Sequence, residues 1–146
     1  MASEPEGDPT VAEISEGDVL RAILARTAPA QASIIGPGDD AAVIAAASGS
    51  VVATTDTLVE GPDFRLAWSN GFDLGWKAAA VNLADVAAMG AAPTALLVAL
   101  AVPRSTRLSY LTAMADGFRE ACASLAPGCA VVGGDLLLAL VYHLFH

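Results

Sequence analysis

Aspartates recur along this chain inside or beside apolar runs. Asp40 follows a Gly-Pro-Gly-Asp turn, Asp56 lies in Thr-Thr-Asp-Thr-Leu, Asp85 lies in Asn-Leu-Ala-Asp-Val, and Asp135 ends Val-Val-Gly-Gly-Asp. An unpaired carboxylate is costly to bury, and two carboxylates close together also repel each other. A divalent cation removes both penalties, and magnesium held by carboxylates usually also holds phosphate groups. These residues therefore predict a magnesium site that handles phosphates.

Each aspartate taken alone has a plainer interpretation. Asp40 and Asp135 could be ordinary turn residues after glycine, Asp56 could end a strand, and Asp85 could be an exposed helix residue. The helical interpretation of Asp85 is weakened by its alanine and valine neighbours, which leave little polar face. Four acidic sites at the ends of core elements together favour metal binding.

The balance of charge limits the partners that the chain could bind. The 146 residues include 7 Lys+Arg against 16 Asp+Glu, which gives a net charge of -9. Such an excess of negative charge argues against binding to nucleic acid or to an anionic membrane surface. With so few basic residues, phosphates would have to be held by metal ions or by the backbone N–H groups of glycine-rich turns.

The lack of a recognisable targeting signal and the spacing of the cysteines predict a cytoplasmic protein. The N-terminus is acidic and polar, unlike a secretory signal. The longest apolar stretch, near residues 91–102, contains Pro93 and Thr94 and falls short of the about 20 apolar residues that span a bilayer. Cys122 and Cys129 lack a zinc-type spacing and are expected to be reduced core residues.

The hydrophobic pattern predicts a small α/β domain. Helices are expected from Ser15 to before Pro29, over 72–89 and over 108–125, and strands over 41–45, 51–58, 94–102 and 129–132. The order α-β-β-α-β-α-β predicts a small mixed β-sheet with helices packed on one face. The first two strands are expected to form a hairpin, and strand 94–102 is expected to be buried on both faces.

Two familiar nucleotide-binding motifs do not explain the glycine-rich turn. Gly36-x-Gly38-x-x-Ala41 matches the letters of the dinucleotide fingerprint, but that fingerprint must open a helix and a strand is expected here. The chain also lacks the G-x-x-x-x-G-K-[ST] pattern of P-loop proteins. Lys77 could contact a phosphate, although a solvated helix lysine is the plainer interpretation.

Four sequence motifs together resemble the N-terminal domain of the thiamine-monophosphate kinase family. They are Gly-Pro-Gly-Asp-Asp-Ala-Ala, Thr-Thr-Asp-Thr-Leu-Val-Glu-Gly, Lys-Ala-Ala-Ala-Val-Asn-Leu-Ala-Asp-Val-Ala-Ala-Met-Gly-Ala-Ala-Pro and Val-Gly-Gly-Asp, in that order. The resemblance covers about residues 35–135. Relatives that share the same ATP-binding plan are aminoimidazole ribonucleotide synthetase, selenophosphate synthetase and a hydrogenase maturation factor.

The resemblance implies an ATP-dependent phosphotransferase. It implies transfer of the γ-phosphate of ATP to thiamine monophosphate, with several Mg²⁺ ions between the two anions and no covalent enzyme intermediate. The metal ligands implied by position are Asp40, Thr54, Thr55, Asp56, Asp85 and Asp135. Gly134 and Asp135 match an ATP-contacting pair, Asp63 matches a substrate contact, and Asp39 falls beside the ligands. A homodimer formed through the β-sheet is also implied.

The end of the chain departs from the family pattern. Family members usually continue with polar residues and a second domain, whereas residues 136–146 are strongly apolar. We therefore expect a disordered acidic leader over 1–12, an ATP- and magnesium-binding domain over 13–135, an atypical tail over 136–146, and a truncated kinase. The alternatives are a non-catalytic module that binds magnesium-nucleotide and dimerises, and a sister ATP-dependent synthetase of the same superfamily.

Overall fold

The fold follows the expected order of helices and strands. The structure, a computed structural model, describes residues 7–38 and 41–139 of the chain. The elements are α1 (Glu16–Leu24), β1 (Ser33–Ile35), β2 (Val43–Ile44), α2 (Gly71–Ala88), β3 (Ala95–Pro103), α3 (Leu108–Leu125) and β4 (Ala130–Ala139). The predicted α/β class is therefore confirmed. The order reads α-β-β-α-β-α-β as predicted, but its first two strands are Ser33–Ile35 and Val43–Ile44 instead of 41–45 and 51–58. The bounds of α3 match the prediction at both ends.

The strands form two small sheets in the described residues instead of one mixed sheet. β1 pairs with β2 in antiparallel fashion, and β3 pairs with β4 in parallel from Ala95 opposite Ala130 to Pro103 opposite Ala139. The expected hairpin between residues 41–45 and 51–58 is wrong. Residues 51–59 have no regular structure and are largely exposed, since no described strand lies beside them to pair with their backbone groups.

The core is centred on α2 and α3, which approach each other closely through glycines. A Cβ atom added to Gly75 would lie 2.1 Å from the carbonyl oxygen of Met114, and one added to Gly117 would lie 2.2 Å from that of Phe72. Glycine costs about 1 kcal/mol relative to alanine inside a helix. The close approach explains why glycine is nevertheless used here, because any side chain would force the helices apart.

The sheet formed by β3 and β4 covers one side of this helix pair and leaves its own outer face open. Leu96, Val98, Leu100 and Val131 pack against the core cluster that contains Met114 and Phe118. On the outer face, Leu97 is 73% exposed and Leu137 is 63% exposed. The prediction that residues 94–102 are buried on both faces is therefore wrong for the isolated chain.

The segment before α1 is held against the start of α3. Val11 is buried, and its N–H donates to the carbonyl oxygen of Thr106 at 2.9 Å. The Asp8 carboxylate accepts hydrogen bonds from the N–H of Ser109 at 2.9 Å and from its hydroxyl at 2.5 Å. Residues 8–12 are thus docked, contrary to the disordered leader expected over 1–12. Residues 1–6, and residues 140–146 of the expected tail, lie outside the described residues.

The glycine contact between α2 and α3 yields a stability prediction. Gly117→Ala should lower the free energy of unfolding by about 1–3 kcal/mol, because the added methyl group overpacks a backbone contact and outweighs the better helix propensity of alanine. Urea unfolding followed by circular dichroism measures the change.

Gly17→Ala in α1 is the matched control. Gly17 is exposed, and its added Cβ atom would meet only the Ser15 hydroxyl at 3.9 Å. Alanine at this position should be neutral or stabilise the protein by up to about 1 kcal/mol. Equal effects of the two substitutions would contradict the close-packing explanation.

The Asp8 contact yields a pH dependence. The hydrogen bonds from the Ser109 hydroxyl and N–H hold the pKa of Asp8 below its usual value. The ionised carboxylate therefore stabilises the fold above its unfolded pKa of about 3.9, and this contribution disappears as the pH falls through the lower folded pKa. Asp8→Asn should be less stable than the natural chain at pH 7, with a difference that shrinks in acid. A difference independent of pH would count against this contact.

Candidate functional site

Asp85 is carried by the last turn of α2. This helix begins with a capping box, in which the Asn70 side chain accepts from the N–H of Asp73 and the Asp73 carboxylate accepts from the N–H of Asn70. Leu83, close to the same end, is buried against the core. Asp85 is exposed, and the last turn of α2 contains no basic residue. A carboxylate at the negative end of the helix dipole is unfavourable, so a bound cation would stabilise it.

Gly134 and Asp135 lie in the middle of β4, on the sheet and not in a turn. A Cβ atom on Gly134 would lie 1.9 Å from the carbonyl oxygen of Val98, so the neighbouring strand leaves no space for a side chain. Asp135 stands opposite Ala99 and is exposed. One oxygen of its carboxylate accepts a hydrogen bond from the N–H of Leu136 at 3.0 Å, which leaves the other oxygen open to a ligand.

Thr54, Thr55 and Asp56 lie in the exposed segment 51–59. Their oxygen atoms are accessible, but no regular backbone hydrogen bonding in the described residues fixes their direction. Asp40, the remaining predicted ligand, and its neighbour Asp39 lie outside the described residues.

Asp56, Asp85 and Asp135, the predicted carboxylates within the described residues, are not gathered into one cluster. Within residues 7–38 and 41–139, no three acidic, histidine or cysteine side chains are placed to hold a common metal ion. The premise that these aspartates are buried is also wrong, because Asp56, Asp85 and Asp135 are all exposed. Their hard oxygen donors still suit magnesium, which is commonly held by one or two carboxylates together with water and phosphate oxygens. The donor chemistry fits the ion, whereas the described arrangement leaves its ligand shell incomplete.

Asp63 lies in a tightly hydrogen-bonded loop that precedes α2. Its carboxylate accepts from the N–H of Val59 at 2.8 Å, and its own N–H donates to the carbonyl oxygen of Val59 at 3.0 Å. The N–H of Gly61 donates to the carbonyl oxygen of Phe64 at 2.8 Å. Lys77, from α2, donates to the carbonyl oxygen of Asp63. These contacts make Asp63 a residue that shapes the loop, with one carboxylate oxygen already engaged.

A cavity of about 360 Å³ opens beside this loop. Its lining consists of Gly61, Pro62, Asp63, Phe64, Arg65, Trp68, Ser69 and Lys77. The Arg65 guanidinium lies over the Trp68 ring, 4.9 Å from the ring centroid. Sequence reasoning missed Arg65 and Trp68 and treated Lys77 as a surface residue. The sequence feature that could have indicated them is Phe-Arg-Leu-Ala-Trp, directly after Asp63, which combines one cation with two aromatic residues.

The two cysteines belong to the core and not to a reactive site. Cys122 and Cys129 are free and buried, as expected from their sequence context. Hydrogen bonding to Cys129 and burial raise the pKa of the Cys122 thiol. A thiol with a raised pKa is a poor nucleophile at neutral pH.

Comparison with known proteins places this chain in a recognised family. Residues 38–143 match the family described as "AIR synthase related protein, N-terminal domain".

None of the helices in the described ranges combines the length and apolarity needed to cross a bilayer.

Named relatives and a solved structure agree with the family match. The chain is 42% identical over 130 residues to a thiamine-monophosphate kinase of Mycobacterium tuberculosis, covering 88% of this chain and 38% of that protein. It is 41% identical over 108 residues to one of Bacillus subtilis, covering 73% and 33%. A crystal structure of the enzyme from Stenotrophomonas maltophilia K279a superposes with a TM-score of 0.69 at 35% identity, covering 86% and 39%.

These matches cover most of this chain but only part of each relative. It spans under two fifths of the length of these relatives, and the matched region contains Asp56, Asp85 and Asp135. The chain therefore belongs to the family of AIR synthase related proteins, whose N-terminal domain it carries.

Proposed function

We propose that this chain is the magnesium- and ATP-binding part of a thiamine-monophosphate kinase, which transfers the γ-phosphate of ATP to thiamine monophosphate. The observation that carries the proposal is the similarity to thiamine-monophosphate kinases over 88% of the chain. The exposed aspartates supply the oxygen donors that such a reaction needs, since both reactants are anions.

Magnesium would be held by Asp40, Thr54, Thr55, Asp56, Asp85 and Asp135, with the remaining positions filled by water and phosphate oxygens. When bound, the ions would neutralise charge on the donor and acceptor phosphates. Asp56, Asp85 and Asp135 form no ion pair within the described residues. Without a cation these carboxylates repel the triphosphate, so nucleotide binding should depend on magnesium.

The remaining proposed contacts are one with the nucleotide and one with the acceptor. Gly134 and Asp135 would contact the nucleotide from β4, as their match to the ATP-contacting pair of the family implies. Asp63 would contact the acceptor through the carboxylate oxygen that Val59 leaves free. No side chain is proposed to form a covalent bond with phosphate, so catalysis would consist of positioning and electrostatic stabilisation.

A non-catalytic role is the second candidate function. The chain spans 38% of the length of a relative such as the one from Mycobacterium tuberculosis, and binding of magnesium-nucleotide needs fewer contacts than turnover. Formation of thiamine diphosphate by the purified chain would favour the kinase, whereas magnesium-dependent ATP binding without product would favour the binding module.

We also propose that two copies of the chain associate through the outer face of β3 and β4. Leu97, Ala99, Ala101 and Leu137 are exposed on this face. Parallel strands are normally covered on both faces, and a second copy would bury this apolar surface. The association would also bring Asp135, on the same face, close to the partner chain.

Asp85→Asn tests the magnesium proposal. The substitution keeps the shape of the side chain and removes its negative charge, so ATP should bind roughly tenfold or more weakly in the presence of Mg²⁺. Isothermal titration calorimetry with Mg²⁺ and with EDTA measures this effect. Glu16→Gln, an exposed charge change in α1, is the control and should leave ATP affinity unchanged. Equal ATP affinity in Mg²⁺ and in EDTA would refute the magnesium proposal.

Leu97→Lys tests the proposed association. A lysine on the outer face of β3 should convert dimers to monomers, since burying its charge against a second copy is costly. Sedimentation velocity across a range of concentrations gives the oligomeric state. Leu125→Lys at the end of α3 introduces the same change at a residue that is 53% exposed, and it should leave the dimer intact. A monomeric natural chain, or dimers that survive Leu97→Lys, would refute the interface.

A further inference from the structure

We propose that the N-terminal segment, residues 8–13, positions Asp135 for metal binding by holding its neighbour Leu136 from the inner face of β4. The proposal rests on the proposed function for the role of Asp135 as a metal ligand. The contacts that link the segment to β4 belong to the fold itself and do not depend on that function. Residues 8–13 precede residues 38–143, which match the family, so the family match assigns them no role.

The segment is tied by its backbone to the turn that joins β3 to α3. The N–H of Val11 donates to the carbonyl oxygen of Thr106 at 2.9 Å. In return, the N–H of Leu108 donates to the carbonyl oxygen of Pro9, also at 2.9 Å. Because β3 runs directly into this turn, the segment restrains the end of the sheet that β3 and β4 share.

The side chain of Val11 completes an apolar cluster at this end of the sheet. Val11 is only 2% exposed. It belongs to one buried cluster with Val102 from β3, Leu111 from α3 and Leu136 from β4, and Val19 joins the same cluster from α1. Interiors of this kind are closely packed, so a change at one member is felt by the others. The position of Leu136 therefore depends on the segment.

Leu136 in turn sets the direction of the Asp135 carboxylate. Leu136 is buried and Asp135 is exposed, because successive side chains of a strand point to opposite faces. The Asp135 carboxylate also accepts a hydrogen bond from the N–H of Leu136 at 3.0 Å. Within the described ranges, β4 pairs with β3 alone, so no second ladder restrains the twist of β4. The grip on Leu136 supplies that restraint.

Hydrogen exchange of the metal-free chain, followed by NMR, tests the link between the segment and β4. Val11→Ala should accelerate exchange of the Leu136 amide at least about threefold more than that of Val131, near the other end of β4, since local opening affects only nearby amides. Val19→Ala is the matched control, because it removes the same atoms from the same cluster and leaves the segment attached. It should accelerate exchange at Leu136 and Val131 by similar factors.

Asp8→Asn loosens the segment without altering the core. The Asp8 carboxylate accepts from the N–H of Ser109 at 2.9 Å and lies outside the apolar cluster. The substitution should reproduce the selective acceleration at Leu136 to a smaller extent, because the backbone hydrogen bonds of the segment remain. This variant also provides the test if Val11→Ala does not fold.

ATP binding in Mg²⁺, measured by isothermal titration calorimetry, tests whether the position of Asp135 matters to the ligand. Val11→Ala should weaken ATP binding about threefold or more, whereas Val19→Ala should change it by less than about twofold. In an Asp135→Asn background, Val11→Ala should have no further effect on ATP affinity, because the carboxylate that the segment positions is gone.

The outcomes separate this inference from the proposed function. Equal acceleration at Leu136 and Val131 in Val11→Ala would overturn the link between the segment and β4. A full effect of Val11→Ala on ATP affinity in the Asp135→Asn background would overturn the positioning of Asp135. Failure of the natural chain to bind ATP with Mg²⁺ would refute the proposed function, whereas selective exchange at Leu136 would still support the link to β4.

Discussion

The backbone contact between α2 and α3 is the constraint on which the arrangement of the functional residues depends. Gly75 and Gly117 let the two helices touch, which fixes α2 above the sheet of β3 and β4. The same helix carries Lys77 in its second turn, facing the loop of Asp63, and Asp85 in its last turn. A separation of the helices would therefore disturb the loop of Asp63 and the end of α2 that carries Asp85 together.

Charge gives the site its chemistry. To bind phosphates as proposed, an acidic chain needs local exceptions to its overall negative charge, and this chain has two kinds. Exposed aspartates become attractive to a triphosphate once a divalent cation lies between them. Arg65 and Lys77 form no ion pair within the described ranges, and as cations they need no metal ion to attract an anion.

Local patterns predicted the helices well and the tertiary surroundings poorly. The periodicity of residues 108–125 and the capping box at Asn70 are encoded within a few residues, so α2 and α3 were predictable. The pairing of β1 with β2, the docking of Asp8 onto Ser109, and the exposure of Asp85 depend on distant neighbours that no local pattern reveals. For the site, residue types and family motifs indicated Asp56, Asp85 and Asp135 as metal ligands, and this stays a prediction. The cavity of Arg65 and Trp68 depends on the placement of Lys77 beside the loop, which no local pattern reveals.

The central claim is that separate acidic segments serve one metal-nucleotide site. Paramagnetic broadening by Mn²⁺ in place of Mg²⁺, measured on the isotope-labelled chain with ATP present, tests it most directly, because broadening falls steeply with distance from the ion. The account predicts that the amide signals of residues 54–56, 85 and 134–135 broaden together at low Mn²⁺, while those of Gly17 and Leu125 remain sharp. Broadening confined to one of these segments, or spread evenly over the acidic surface, would contradict it.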